Sequence, residues 1–585
     1  MLILGLSSTF KGDATAAAMR DGVVQAAFEN YKSHLASSCG IPEAAIAYCL
    51  SKSEVSWSGV DAVAIANDPL RGWARRAFSR RGLSPLAPIA TSYQQGKELR
   101  RLAREWADLS VLRHRLGDRR KVVSIDHHCC HAASAFFFSP FDSALILTLD
   151  GEGDGRSGLI ATGEGSRISN RASIPCSNSV GWLYSRVTEL IGFSAREEHK
   201  TQWLGLEGEP EYRDVFLRVL RRPGRVLPRL DLCAFHRDIT GAIVPSRFLL
   251  DQLEISEKCE LTIEQKRNVA SSIQAATTEV VSELLAFYRK ETGIQQICLG
   301  GGVFQNTLLL ADLESRFGVG NLFVPPAPGN AGCALGAAAW IWHQQMGKPR
   351  QPEIRSVFWG PSYARPEIKE VLDNVKARYA LHDTTEKMMD SAVQLLDAGK
   401  IVGWFQGAAE FGTRALGHRS ILASPWAPYV TENLNDFVKH RESFRPFAIS
   451  VRDVDCERFF ESSPLCRFMN SLARVRMDKD VLPSVLLLPG GRVRLHIVEK
   501  ESNRAFWDLL RRFGERAPAP ILVNTSFNLP GEPPVVRPKD AVRAFFCSGT
   551  EAVFVDNFLL TKWSSAHVLN GRAVQRQEAP RIVSA

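Results

Sequence analysis

The chain has 585 residues, 45% hydrophobic and 23% charged, with 72 Lys and Arg against 63 Asp and Glu. That length predicts two to four domains with enough apolar material for more than one core, and it excludes a disordered chain, a collagen-like repeat and a disulfide-stapled miniprotein. The net charge of +9 is unevenly placed: residues 71–121 hold fourteen Lys and Arg against four Asp and Glu, a surplus of +10, so the remainder carries −1. Twelve cysteines without a CxxC pair suit reduced, mostly buried thiols. The opening MLILGLSSTF shows neither a basic leader nor a small-residue cleavage site. No apolar run approaches the roughly 18 residues of a membrane span. These features lead to the expectation of a cytoplasmic protein that does not cross a membrane.

In chain order, short β-rich runs at 2–7, 60–67, 122–126, 144–150, 296–299 and 321–324 lead into turn residues. Helical periodicity falls at 181–193, 266–290 and 331–344. Strands alternating with amphipathic helices predict an α/β protein with buried sheets. A stretch rich in Pro and Gly at 346–365 breaks the pattern. Beyond it a second α/β region is predicted, with a helix at 385–398 and strands at 401–406, 447–451, 484–488, 520–523 and 552–555. The end of the chain, 570–585, reads as a polar tail. No repeat of 20–50 residues is evident.

Three constellations carry chemistry. In Asp126-His127-His128-Cys129-Cys130-His131, the histidines at 127 and 131 are spaced i and i+4. On a helix their Cβ atoms lie about 6 Å apart on one face, which suits two positions on one metal ion or two packed histidines. The vicinal cysteines read as small apolar helix residues. Asp150 ends the next run, in LTLDGEGDG, where a carboxylate either joins the histidines or caps the turn. The second constellation is Gly300-Gly301-Gly302 followed by Asn306, after a strand; such a turn either admits a ligand to bare backbone or only packs. Its companion, PPAPGNAGCALGAAAW, starts a helix at a loop near Asn330.

The third is the most specific. Glu410-Phe411-Gly412-Thr413-Arg414-Ala415-Leu416-Gly417-His418-Arg419 is followed by Lys439, Arg441 and Phe444-Arg445-Pro446-Phe447. Arginines bind phosphate with two parallel hydrogen bonds and lysine adds a point charge, so these five cations among glycines and aromatics predict an anion site. Val523-Asn524-Thr525-Ser526, after a strand, can add hydroxyl and amide donors.

The HHxxH run, the strand-DG turn, GGVFQN, EFGTRALGHRSIL, FRPFA and NTSFNLPGEP stand here in the order of one family. From about residue 1 to 565 the chain resembles the NodU/CmcH-type O-carbamoyltransferases. That resemblance implies an N-terminal actin-like (ASKHA, RNase H-like) domain over 1–350 and a C-terminal YrdC-like α/β domain over 351–569. It implies that carbamoyl phosphate and ATP form carbamoyl adenylate in the second domain. The first domain then passes the carbamoyl group to an acceptor hydroxyl on a small molecule, beside a divalent metal, commonly Fe²⁺. Carried over by motif, the metal ligands are His127, His131 and Asp150. Contacts to carbamoyl phosphate and nucleotide fall at Gly301, Gly302, Asn306, Asn330, Arg414, Lys439, Arg445, Arg494 and Ser526, and Asp13 is the catalytic candidate.

The chain departs from the family's pattern at four places. Gly12 stands where a His usually precedes Asp13, and Asn330 stands where an Asp usually offers a further metal ligand. Ala408 stands where an Arg is usual, and LLLPGG around Leu486–Gly491 replaces a His-x-Asp-Gly. An altered acceptor, a site rebuilt from other residues, or a weakened paralogue that only binds nucleotide or carbamoyl phosphate are the readings these raise. The basic segment would suit an RNA-carbamoylating enzyme, but it contains no recognised RNA module, so nucleic acid is not the expected partner.

Overall fold

The computed structural model describes residues 1–7, 14–33, 40–68, 103, 106–115, 121–222, 224–237, 243–256, 260–351, 353–476 and 482–562. Asp13, Gly12, the 570–585 tail and most of the basic segment lie outside the described residues.

Two five-stranded sheets share one plan. In the first, Leu2–Ser7 pairs antiparallel with Thr15–Arg20, which pairs antiparallel with Val23–Glu29; on the other side Leu2–Ser7 pairs parallel with Ala62–Ile65, and that with Val122–Ser124. In the second, Ser143–Gly153 pairs antiparallel with Arg156–Glu164, and that with Arg167–Pro175; on the other side come Ile297–Gly300 and Leu322–Phe323, both parallel. The order 3-2-1-4-5 therefore occurs twice, giving the doubled α/β unit of an actin-like fold. Residues 106–115, the described helical part of the basic segment, place Leu109 and Leu112 in the core of the first unit. Arg115 there forks onto Glu43 with two contacts of 2.8 Å.

Two helices of small residues lock the sheets together. His127–Phe136 starts where the Asp126 carboxylate accepts from the amides of His128 (3.1 Å) and Cys129 (3.3 Å), an ordinary N-cap. Gly332–Ala339 crosses it so closely that a Cβ on Gly336 would sit 1.9 Å from the Cys130 carbonyl oxygen. Cys129 and Cys130 are buried in that contact, as their reading as small apolar residues required. The longest helix, Ile263–Thr292, opens with a reciprocal Thr262–Gln265 capping box and stops at Gly293, in the left-handed region at φ 73°.

Residues 353–364, free of helix and strand, stitch the first sheet to a third. The Trp359 carbonyl accepts from Ala27 N (3.2 Å) and from the Tyr48 hydroxyl (2.9 Å), while Gly360 N donates to Ala409 O (3.0 Å). The third sheet has ten strands in the order Ala380–Leu381, Phe558–Thr561, Ala552–Val555, Val402–Phe405, Arg419–Ala423, Ile521–Ser526, Ala448–Arg452, Arg492–Val498, Leu472–Val475, Phe460–Glu461. One expected strand is absent: between Pro483 and Pro489-Gly490-Gly491, 484–488 forms the 3-10 turn Ser484–Leu486, and of these residues Leu488 alone makes a bridge, its amide donating to Arg492 O at 2.8 Å. Strands Thr15–Arg20, Val23–Glu29, Arg156–Glu164, Arg167–Pro175, Arg419–Ala423 and Arg492–Val498 were not legible as such in the sequence.

Candidate functional site

The first polar cluster is made by the His127–Phe136 helix and the Ser143–Gly153 strand. The Nε2 atoms of His127 and His131 are 3.0 Å apart, and Asp150 Oδ2 is 3.4 Å from each. Both histidines are buried. The separation matches two neighbouring ligands about 2.1 Å from one ion, and the carboxylate supplies the opposing charge, so a divalent cation fits this donor set. Burial opposes the charge of Asp150, yet hydrogen bonds from His127 and His131 hold its carboxyl well below the usual range. His128, third in the run, is pushed down to about 3, by burial first and then by its two histidine neighbours, and its Nδ1 meets Thr148 Oγ1 at 2.8 Å. It is a neutral core residue.

Glycines shape this cluster by close packing. The hairpin closes over His127 because residue 153 has no side chain: a Cβ there would lie 1.9 Å from the imidazole Cδ2. Gly301, at φ 101°, brings its loop so near the strand that a Cβ would lie 2.1 Å from the Leu149 carbonyl oxygen, and one on Gly302 would lie 2.9 Å from Asp150 Oδ1. Of the two readings of this turn, the coordinates favour packing, with Gly302 also keeping one face of the Asp150 carboxylate clear. Asn306 serves as N-cap of the helix Thr307–Phe317, accepting from Leu309 N at 3.0 Å and donating to Gln274 at 2.7 Å. Asn330 lies one helical turn before Cys333, whose amide donates to its carbonyl (3.1 Å).

The second cluster lies where the third sheet meets the actin-like part. Glu410 Oε1 gathers the amides of Leu416 (2.9 Å), His418 (2.9 Å) and Arg419 (3.0 Å), folding the loop so that Arg414 reaches across to the Gln305 carbonyl and Thr307 Oγ1, both at 3.3 Å. Lys439 Nζ donates to Ser526 O (2.7 Å), Ser526 Oγ (3.1 Å) and Asn528 Oδ1 (2.6 Å). Arg441 lies over the Phe447 ring at 4.2 Å and Arg494 over the Trp203 ring at 5.9 Å. The buried Nε of Arg494 finds no hydrogen-bond partner among the described residues.

These cations repel one another. Burial, then Arg441 and Arg445, hold the Lys439 ammonium well below its ordinary range; burial, then Arg414, Arg441 and Arg445, do the same to Arg494. Arg441 falls to about 9 and Arg414 to about 10, burial being the leading cause for both. Two acids stand nearby among the described residues: Glu442 meets Lys200 at 2.6 Å and Arg445 at 3.7 Å, and Glu197 meets Lys200 at 2.7 Å. Arg419 does not belong to the group. It is buried under the Phe405 ring, 3.7 Å away, and donates to the carbonyls of Gly407 (3.0 Å) and Pro361 (3.2 Å). A pattern of cations in sequence could not separate the one that holds the loop from those that gather in the cluster.

Sequence reading missed the helix Glu198–Leu204, which supplies the opposite wall. His199 there is pushed down to about 4, by burial and then by Arg445, Lys200 and Arg414, so it faces the cations neutral. The signal was present in the run Glu198-His199-Lys200-Thr201-Gln202-Trp203, polar residues beside a Trp ahead of a region that reads as a variable loop. Among the departures, Leu488 of the LLLPGG run packs with Trp203 and Phe444, giving the cluster an apolar rim, and the Ala408 carbonyl accepts from His418 Nδ1 at 2.6 Å.

Comparison with known proteins identifies the family. Residues 2–339 match the carbamoyltransferase N-terminus and residues 393–562 the carbamoyltransferase C-terminus. The chain belongs to the carbamoyltransferase family and is an enzyme of that class. It is 32% identical over 570 residues to nodulation protein NolNO of Sinorhizobium fredii, covering 96% of this chain and 80% of that one. To nodulation protein NolO of Bradyrhizobium diazoefficiens it is 35% identical over 445 residues, 75% of this chain and 79% of that one. Among solved structures, HypF of T. kodakarensis is similar at a TM-score of 0.31 and 13% identity over 59% of this chain and 48% of that one, too slight a likeness to argue from. No described helix is long and apolar enough to cross a membrane.

Proposed function

We propose that the chain is an O-carbamoyltransferase acting in two stages. Residues 351–569, read as a YrdC-like domain, convert carbamoyl phosphate, ATP and one water to carbamoyl adenylate, phosphate and pyrophosphate. Residues 1–350 then move the carbamoyl group to a hydroxyl of a small natural-product acceptor, releasing AMP. The observation that carries this reading is the group of mutually repelling cations Arg414, Lys439, Arg441, Arg445 and Arg494, of which Arg445 meets the acid Glu442. Phosphates are the ligands whose charge such a group stabilises. The hydrogen bonds of Arg414, from the loop before Arg419–Ala423, to Gln305 and Thr307 support a reading in which the two stages lie side by side.

Within that reading each residue has a task. Lys439 and Ser526 hold one phosphate oxygen set, Arg414, Arg445 and Arg494 neutralise the rest, and neutral His199 offers hydrogen bonding without added charge. His127, His131 and Asp150 would hold a divalent ion, Fe²⁺ by the family resemblance, which when bound supplies a Lewis acid for the carbamoyl carbonyl. Asp13 keeps the catalytic role proposed for it. The basic segment is assigned no part in the chemistry.

The purified protein, given ATP, carbamoyl phosphate and Fe²⁺ without acceptor, is expected to form pyrophosphate and carbamoyl adenylate. Arg414→Ala and Lys439→Ala are expected to lose both products. A wild-type protein that binds carbamoyl phosphate yet yields neither product would overturn the two-stage reading.

A further inference from the structure

The helix Gly332–Ala339 brings a thiol to the histidine pair. Cys333 is fully buried, and its Sγ and one ring nitrogen from each of His127 and His131 all lie within 4.8 Å of one another. The Sγ also rests 4.0 Å from the His127 carbonyl oxygen. The crossing of the two helices fixes this placement, because Gly336 and Gly332 let backbone meet backbone: Cβ atoms there would lie 1.9 Å from Cys130 O and 2.0 Å from Ala327 O.

The neighbouring carboxylates are otherwise engaged. Asp126 accepts from the amides of His128 and Cys129, and Asp154 from those of His127 (2.9 Å) and Asp68 (2.8 Å). Among the described residues, Asp150 alone faces both imidazoles with its carboxylate, at 3.4 Å. Two neutral imidazoles and one carboxylate leave a bound divalent ion with a net positive charge in a buried pocket, and burying unbalanced charge is costly. Asn330, where the family pattern has an acid, adds none.

We propose that Cys333 is a thiolate ligand of the metal centre, completing a two-histidine, one-aspartate, one-cysteine set; the inference rests on the metal reading above. Binding releases the thiol proton to solvent, with no change of oxidation state. Asp150 and the thiolate then balance a divalent charge. A sulfur donor selects iron, cobalt or zinc over magnesium.

Full-length protein stripped of metal by a chelator and titrated with Co²⁺ tests this without reference to turnover. Wild type is expected to bind one equivalent with a sulfur-to-cobalt charge-transfer band in the near ultraviolet. Cys333→Ala should lack the band and bind Co²⁺ at least about tenfold more weakly. Cys333→Asp should recover affinity without the band, and Cys129→Ala and Cys130→Ala should retain both. Cobalt bound by wild type without the band, or a band that survives Cys333→Ala, overturns the thiolate assignment while leaving His127, His131 and Asp150 in place. Failure of wild type to bind Co²⁺ at all overturns the metal reading and this inference with it.

Discussion

The two polar clusters are built on opposite plans. His127, His131 and Asp150 come from one helix and one hairpin of a single sheet unit, and each already has partners of complementary charge or hydrogen-bonding capacity. The cations at 414, 439, 441, 445 and 494 come from loops, a helical turn and a strand, and they repel one another. A cluster of the first kind keeps its geometry before any ligand arrives. One of the second kind carries repulsion that an anion relieves, so ligand binding and the approach of the two parts of the chain are linked. Four predictions test that contrast.

The largest effect is expected where the two parts are clamped. Lys32 and Glu29 form a buried pair 3.0 Å apart, and Lys32 Nζ also donates to the carbonyls of Glu410 (3.0 Å) and Gly412 (2.7 Å), while Gly412 N donates to Glu29 at 2.7 Å. The clamp thus grips the loop that carries Arg414. Lys32→Met leaves a buried carboxylate without its cation and should cost about 3–5 kcal/mol in chemical denaturation. The double variant with Glu29→Gln should recover most of it. If the single variant loses under 1 kcal/mol, the clamp is not what joins the two parts.

Next is the frustrated cluster itself. Lys439→Met keeps the volume of a buried side chain and removes one repelling charge. Carbamoyl phosphate affinity should fall by about 2–5 kcal/mol, read by calorimetry. The unliganded protein should melt no lower than wild type, because the lost charge had no acidic partner to leave behind. A variant that melts lower without ligand would show that Lys439 serves the fold through Ser526 and Asn528.

The first cluster should respond in the reverse sense. Gly153→Ala forces a methyl group into the His127 ring, so overpacking of about 1–3 kcal/mol is expected with or without ligand. Metal affinity should drop with it, while carbamoyl phosphate binding stays at the wild-type value. A variant with normal stability would mean that the hairpin is not closed over the imidazole.

What the sequence disclosed follows from how far its signals reach. Central strands such as Ala552–Val555 and the helices Thr385–Asp397 and Ile263–Thr292 carry hydrophobic period and caps within a few residues, and they were legible. Thr15–Arg20, with three consecutive alanines, has the composition of a helix and is a strand only because Leu2–Ser7 and Val23–Glu29 flank it. The i and i+4 spacing of His127 and His131 was legible locally, but it left Asp150 open between joining them and capping its turn; the family resemblance alone named the three as a set. His199 and Cys333 were not legible, since their proximity to the two clusters is set by helix crossings made possible by Gly336 and by the meeting of distant segments. Arg419 was grouped with the cations of the cluster for the same reason: its place under Phe405 is revealed by no local pattern.

The smallest effect separates a structural asparagine from a binding one. The Asn306 side chain accepts from Leu309 N and donates to Gln274, which in turn accepts from the Tyr184 hydroxyl at 2.9 Å. Those bonds occupy it as an N-cap between Gln305 and Thr307, the two residues that Arg414 reaches. Asn306→Ala should therefore lower stability by about 1 kcal/mol, the ordinary cost of a lost cap, and leave the KM for ATP and for carbamoyl phosphate within about twofold. Asn306→Asp, which keeps the acceptor for Leu309 N, should restore most of the stability. A KM raised tenfold or more in the alanine variant, at unchanged melting temperature, would instead place Asn306 against a substrate and move the anion site deeper into the actin-like part than the cations alone indicate.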